Sequence, residues 1–535
     1  MKKRSFSYLL LAFMGLSLLS CSNSDNSSIG IIKDDVISSS DIDFSIDSNS
    51  KNYDFNIINE GGSYILNGDI NSSVIIDTKD EVTIVLDNCN INSDFAGIYV
   101  KKASKVYLNL VGNNTIKCLN EFNQIDDNKV DGAIFSKSDL TIKGDGELDI
   151  ESIYHGVVSK DNLVITGGDI SINASKKGID VNDYLALTNT SIDIDSIADG
   201  IHVENSDSSL GYIYSLNSYL NINSTSDSIS ASGNIEIDSS EFNINSYSNE
   251  SISNKSIKGI KGLDLIIKDS RIDINSKDDA IHSNSNIEID GGSYNLTTED
   301  DGIHADNNLV INSGDITISN SYEGLEGKAI TINDGNINII SNDDGINAAG
   351  GNDGSSFNRP GQNSFNSSNS DVYITINGGV IVVDSKGDGI DSNGNLYVNG
   401  GNIIVYGPTD NGNGALDYDG VAKISGGSLC AIGSSGMAQN FSEAEQGSIL
   451  YNLSSNYSSN TTINLKDSSG NIIYSVIGKK SFNSIVISTS DIKNNEAYTL
   501  NVGNNSYSIT MSSMIYSNSS TSGFGPGGNH FGPRF

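Results

Sequence analysis

The chain has 535 residues, of which 67 are acidic and 31 basic, giving a formal net charge of −36. An acidic surface of that size repels phosphate and argues against nucleic acid as a partner. Only 36 % of the residues are apolar. The isoleucines and valines nevertheless fall in short alternating runs, such as Ile170, Ile172 and Ile192, Ile194, which mark half-buried strands and not disorder.

Residues 1–21 form a targeting segment. Lys2, Lys3 and Arg4 precede an apolar stretch from Tyr8 to Leu19 that is too short to span a bilayer as a helix. The segment ends in Leu18-Leu19-Ser20-Cys21, which resembles the lipobox of bacterial lipoproteins. That resemblance implies acylation of Cys21 and an extracytoplasmic protein anchored by lipid to the membrane or outer surface. Residues 22–40 read as a tether from the lipid. Cys89, Cys118 and Cys430 are odd in number and widely spaced, which fits neither a disulfide framework nor a zinc site. They are expected to be small buried hydrophobes.

Beyond the tether the chain repeats. A small residue preceding Ile, Val or Leu marks each unit: Gly156, Gly178, Gly200, Ser228, Ser251, Ala280, Gly302, Gly324 and Gly345, with steps of 22, 22, 28, 23, 29, 22, 22 and 21. Gly389 and Gly414 follow an insertion at 350–370, and Gly97 and Gly132 are earlier, less regular members. Each unit reads as an acidic turn, short strand, Gly-Gly or Asn-Gly turn and further strand, as in LVITGGDISINAS at 163–175. Such a unit cannot bury its apolar face alone, whereas stacked units share a core. A period near 22 without helical periodicity predicts an all-β fold, a right-handed parallel β-helix over residues 41–440. From 441 to 516 the strand signals lengthen and the acidic turn disappears, which predicts a small antiparallel β module closing the open end. Residues 517–535 are Gly/Ser-rich and read as a disordered tail.

In a β-helix, equivalent residues of neighbouring coils lie about 4.8 Å apart. Asp279, Asp301, Glu323 and Asp344 are therefore expected to stack, with Asp278, Asp300 and Asp343 beside them. Two unit charges at that distance repel by roughly 0.8 kcal/mol in water and about 3 kcal/mol at an effective dielectric of about 20. Two rows of carboxylates are costly unless a cation sits between the rungs. A donor set made only of oxygen suits calcium. The expected ligands are Asp278, Asp279, Asp300, Asp301, Glu323, Asp343, Asp344 and Asp388. Asp and Asn also favour tight turns for reasons of backbone geometry alone, so single acids such as Asp199, Asp227 and Glu250 are weaker candidates. The residue after the Ile or Leu of each turn is Asp180, His202, His282, His304, Glu326, Asn347, Asp391 or Asp417. Strand alternation turns this position away from the core, where it either bonds sugar hydroxyls or is plain solvated surface.

The stretches VTIVLDN (82–88), AIFSKSDLTIKGDGEL (133–148), EDDGIHAD (299–306), EGLEGKAITINDGNINI (323–339), DDGINAAGGND (343–353), GDGIDSNGNLYVNGG (387–401) and, most distinctively, GPTDNGNGALDYDG (407–420) carry a family resemblance. The run from Asp69 to Tyr418 resembles the bacterial carbohydrate-binding domain family of calcium-containing parallel β-helices, related in fold to family 9 polysaccharide lyases. The resemblance implies a monomeric surface protein that binds acidic, pectin-like or cellulosic polysaccharide without cleaving it. Candidate sugar contacts are then His282, His304, Glu326, Asn347, Asp391, Asp417 and Tyr418. The absence of tryptophan removes a broad stacking platform and favours acidic glycans. Two other readings compete. A calcium-dependent lyase would need a base, for which Lys258, Lys261, Lys277, Lys328 and Lys386 are candidates. A structural adhesin or spacer would use calcium only to stiffen the rod.

Overall fold

The structure, a computed structural model, describes residues 51–52, 57–247, 256–349 and 371–518. The Cys21 anchor, the tether, the insertion at 350–370, Glu250, Ser251 and residues 519–535 lie outside the described residues. Every regular element among the described residues is a strand.

Each coil contributes three strands to three parallel sheets. One coil consists of Ile179–Val181, Tyr184–Thr188 and Ser191–Ser196; the next consists of Ile201–Val203, Tyr212–Leu216 and Tyr219–Ser224. They pair in register, Ile179 on Ile201, Leu185 on Ile213 and Ile192 on Leu220. Period-two alternation sends Ile192 and Ile194 inward and leaves Asp193 and Asp195 in solvent. Stacking the inward residues of all coils produces one continuous apolar core from Ile58 to Val486. The parallel β-helix expected from the repeat is therefore the observed architecture. Cys89, Cys118 and Cys430 are buried free thiols within its strands.

The marker residue is small because the chain packs most tightly there. A Cβ on Gly302 would lie 2.6 Å from the carbonyl oxygen of Gly324 in the following coil. Registration corrects three of the sequence markers. Ile229 pairs with Ile260, so the marker after Ser228 is Gly259 and not Ser251. Likewise Ile134 pairs with Val157 and Leu416 with Ile390, which moves the marker from Gly132 to Ala133 and from Gly414 to Ala415. Unequal turn lengths conceal such offsets from a simple count of residues.

The last coil ends in Ser428–Gly433, which pairs antiparallel with Phe482–Thr489. That strand also pairs antiparallel with Ser448–Tyr457, whose start lies parallel to Ile515–Ser517. A four-stranded antiparallel sheet, in the order Ile472–Ile477, Thr462–Lys466, Ala497–Val502 and Asn505–Thr510, completes the module around a second apolar cluster. Ser517 was expected to start the tail, but it pairs with Leu450 because the edge of that strand would otherwise be open.

Candidate metal centre

The third sheet hands the chain to the first through a short turn. Serines at the strand ends hold it: Ser196 Oγ donates to the Ala198 carbonyl (3.1 Å) and Ser341 Oγ to that of Asp343 (3.1 Å). The residue just before each marker projects a side chain along the stack. At Asp227, Asp279, Asp301, Asp344 and Asp388 its carboxylate accepts the main-chain N–H of the equivalent residue one coil later. Asp301 N donates to Asp279 Oδ1 (3.1 Å), Glu323 N to Asp301 Oδ1 (3.1 Å), Asp388 N to Asp344 Oδ1 (2.6 Å) and Gly414 N to Asp388 Oδ1 (2.5 Å). Half of each carboxylate thus supports the next turn, and the other oxygen is left for a different partner.

In the upstream coils that partner is a cation of the protein itself. His202 Nδ1 lies 3.0 Å from Asp199 Oδ2. The corrected register puts Lys258, not Glu250, in the carboxylate position of its coil. The Lys258 ammonium reaches Asp278 Oδ1 (2.6 Å) and Asp279 Oδ2 (2.5 Å). Burial alone would raise the Asp279 carboxyl, but the Lys258 charge and a 2.8 Å contact with His282 Nδ1 hold it well below the usual range. His304 Nδ1 meets Glu326 Oε2 (2.6 Å) and Asp301 Oδ2 (3.3 Å), while its Nε2 faces Asp306 Oδ1 (3.3 Å). Burial disfavours the imidazolium, yet these three carboxylates push His304 well above its ordinary value. Asp300, beside this group, is pushed up to about 9 by burial and then by Asp301, Asp279 and Asp278.

Downstream, the compensation stops. The column that carried His282 and His304 continues as Glu326, Asn347, Asp391 and Asp417. One oxygen each of Asp344, Asp388 and Asp391 lie within 4.8 Å of one another. Burial, then Asp388 and Asp343, push Asp344 up to about 8; burial and Asp417 push Asp388 up to about 7. Asp391, half-buried, stands well above the carboxylate range because desolvation and then the charges of Asp344, Asp388 and Asp417 disfavour its ionised form. Glu323 is raised likewise by burial and by Glu326. Asn347, 5 % exposed, donates through Nδ2 to Glu323 Oε2 (2.8 Å), and its Oδ1 is buried without a donor. A buried carbonyl oxygen without a donor, in the coil next to carboxylates that repel one another, fits a hard cation with oxygen ligands. Glu323, Asp344, Asn347, Asp388 and Asp391 would hold calcium. Tyr322 shares a hydrogen bond with Asp343 at the rim.

The expected sugar contacts are distributed differently from the prediction. The position does turn away from the apolar core, but His304, Glu326 and Asn347 are buried beneath the acidic turn. Asp417 Oδ1 accepts from Gln439 Nε2 (2.5 Å), and Tyr418 Oη donates to the Asn440 carbonyl (2.7 Å), so both brace the last coil. His282 and Asp391 are half-buried. Among the lysines, Lys258 is locked in its ion pair, Lys386 Nζ donates to Asn342 Oδ1 (2.6 Å), and Lys277 lies over the Tyr247 ring. Sequence reasoning offered Lys258 only as a candidate base and missed its place in the carboxylate column, and it missed the Oδ1 of Asn347; the 29-residue step after Ser251 was the signal that the alignment had slipped.

Comparison with known proteins gives a family. The model for the family described as "Carbohydrate-binding domain-containing protein" matches residues 54–302 and again residues 297–520. A relative of that name from Acetivibrio thermocellus is 36 % identical over 121 residues, covering 21 % of this chain and 42 % of the relative. The match thus spans less than half of that relative's length. A solved structure, a polysaccharide lyase-like protein from C. thermocellum studied as a gadolinium derivative, shares 31 % identity over 35 % of this chain and 79 % of its own, at a TM-score of 0.33. With the family model covering nearly all of the solenoid and its cap, the chain belongs to the carbohydrate-binding domain-containing family.

Proposed function

We propose that the protein is a non-catalytic polysaccharide binder that retains acidic glycan through calcium held in the downstream acidic turns. Membership of a carbohydrate-binding family supports the polysaccharide partner. The observation that carries the metal is the convergence of Asp344, Asp388 and Asp391 within 4.8 Å, with the donor-less Oδ1 of Asn347 on the strand paired to that of Asp391. Bound calcium would neutralise these carboxylates and offer remaining coordination positions to a uronate, which removes the repulsion between two polyanions. The protein's own residues fix the ligand oxygens: main-chain N–H groups of Asp388 and Gly414 orient Asp344 and Asp388.

Surface attachment through an acylated Cys21 belongs to the same proposal and rests on the Leu18-Leu19-Ser20-Cys21 segment. Detergent-phase partitioning of the native protein, lost in Cys21→Ser, is the expected result. A lyase would need a lysine able to shed its proton. Lys258, the buried lysine beside the carboxylates, is instead pushed upward by Asp279 and Asp278 against the effect of burial.

Affinity electrophoresis of residues 22–535 through polygalacturonate gels tests the reading. Retardation is expected with calcium, and neither with chelator nor in Asp344→Asn/Asp391→Asn. Calcium-independent mobility in every gel, with calcium raising only the melting temperature, would leave the rod as a spacer. Loss of stainable polymer along the lane would make it a lyase.

A further inference from the structure

A different edge of the solenoid, between the second and third sheets, carries an open trough of about 770 Å³ in the coils upstream of the acidic turns. In each coil two residues make the turn. The first is left-handed at Asn189, Asn217, Ser239 and Asp269, with φ between 41° and 52°. Asn and Asp tolerate this conformation better than other residues with a Cβ. The second is a small buried hydroxyl residue, Thr190, Ser218 or Ser240, whose proton goes to a main-chain carbonyl (3.1, 3.0 and 2.8 Å). The turns therefore sit low and rigid. The first residues of the third-sheet strands, aligned in register as Asp169, Ser191, Tyr219, Glu241 and Arg271, stand up as the wall.

The chemistry of this lining is specific. Tyr219 exposes 38 % of its surface, and its hydroxyl accepts from Asn243 Nδ2 (3.3 Å), which fixes the ring. Asn189 and Asn217, in the turns themselves, are exposed and line the trough beside it. Asp145, Asp169, Glu241 and Asp269 bring four carboxylates. Arg271 is the single guanidinium in the trough, and Asp273 already holds it at 2.6 Å, with Glu241 at 3.8 Å. Such a lining repels a polyanion. It suits a chain of neutral sugars, whose hydroxyls donate to carboxylates and accept from amides while a C–H face rests on the tyrosine ring. Rungs about 4.8 Å apart repeat these groups at close to the rise of one sugar in an extended β-linked glycan.

We propose that this trough is a second glycan site, which takes one extended strand of a neutral β-linked polysaccharide along the solenoid axis and needs no metal. The proposal rests on the polysaccharide reading above and adds a separate seat to it. The trough lies wholly within the first family match, residues 54–302, whereas the uncompensated carboxylates from Glu323 to Asp417 lie within the second.

The test is affinity electrophoresis of residues 22–535 in hydroxyethylcellulose gels containing chelator. The wild-type chain is expected to be retarded. Tyr219→Ala should weaken that retardation at least about tenfold, with an unchanged melting temperature and unchanged calcium-dependent retardation in polygalacturonate. Asn189→Asp/Asn217→Asp keeps residues that tolerate the left-handed turn, removes the amide donors, and should weaken binding in the same gel. Equal retardation of wild type and both variants would overturn the trough as the seat, as would loss of wild-type retardation on adding chelator. Calcium-dependent retardation in polygalacturonate with none in the neutral gel would sink this proposal alone. Free migration in both gels would sink the polysaccharide reading with it.

Discussion

At the residue scale, the most informative side chain is Lys258. It occupies the place of a carboxylate and pairs with two of them, Asp278 and Asp279. Removing one member of a buried ion pair leaves an uncompensated charge, at a cost of about 3–5 kcal/mol. Lys258→Met is therefore expected to lower the unfolding free energy measured in urea by that order, and Lys258→Met/Asp279→Asn to recover a large part of it. Equal stability of the single variant and wild type would show that solvent or an ion already shares the load. The sequence offered this residue only as a candidate base, because the 31-residue interval from Ser228 to Gly259 hides its register. Asn347 was legible as a member of its column, but not as a buried oxygen without a donor.

Strand elements were far more legible. Ile192 and Ile194 alternate with Asp193 and Asp195, and the structure buries the first pair and exposes the second. The acidic turns recur because their carboxylates accept main-chain N–H groups from the next coil, a geometric reason that operates beside any metal. A pH prediction belongs at this scale. Asp388 and Asp344 have folded values raised to about 7 and about 8, against an unfolded reference of about 3.9. A raised carboxyl favours the protonated fold, so the metal-free solenoid is stabilised at low pH. That stabilisation is lost as pH rises from about 4 through about 8. Calorimetry in chelator should show a melting temperature that falls across this window. Saturating calcium should remove the fall, because the ionised carboxylates then have a cation. A flat profile in chelator would show that water already solvates these groups.

For the whole molecule, the cap is the element that closes the last coil of the solenoid. Phe482–Thr489 covers the last third-sheet strand by antiparallel pairing. Removing residues 441–535 should expose Ser428–Gly433 as an unpaired edge and yield higher-order species on size-exclusion chromatography. A monomeric truncated rod would assign the cap another purpose. The sequence by itself determined the repeat, the parallel β-helix, the antiparallel closure and the existence of a stacked acidic turn, because each depends on local alternation and on a period that only stacking can satisfy. Tertiary structure decided which acids remain without a partner, which outward residues are covered and where the trough lies. Those outcomes depend on register across coils of unequal length, where a slip of eight residues exchanges Glu250 for Lys258.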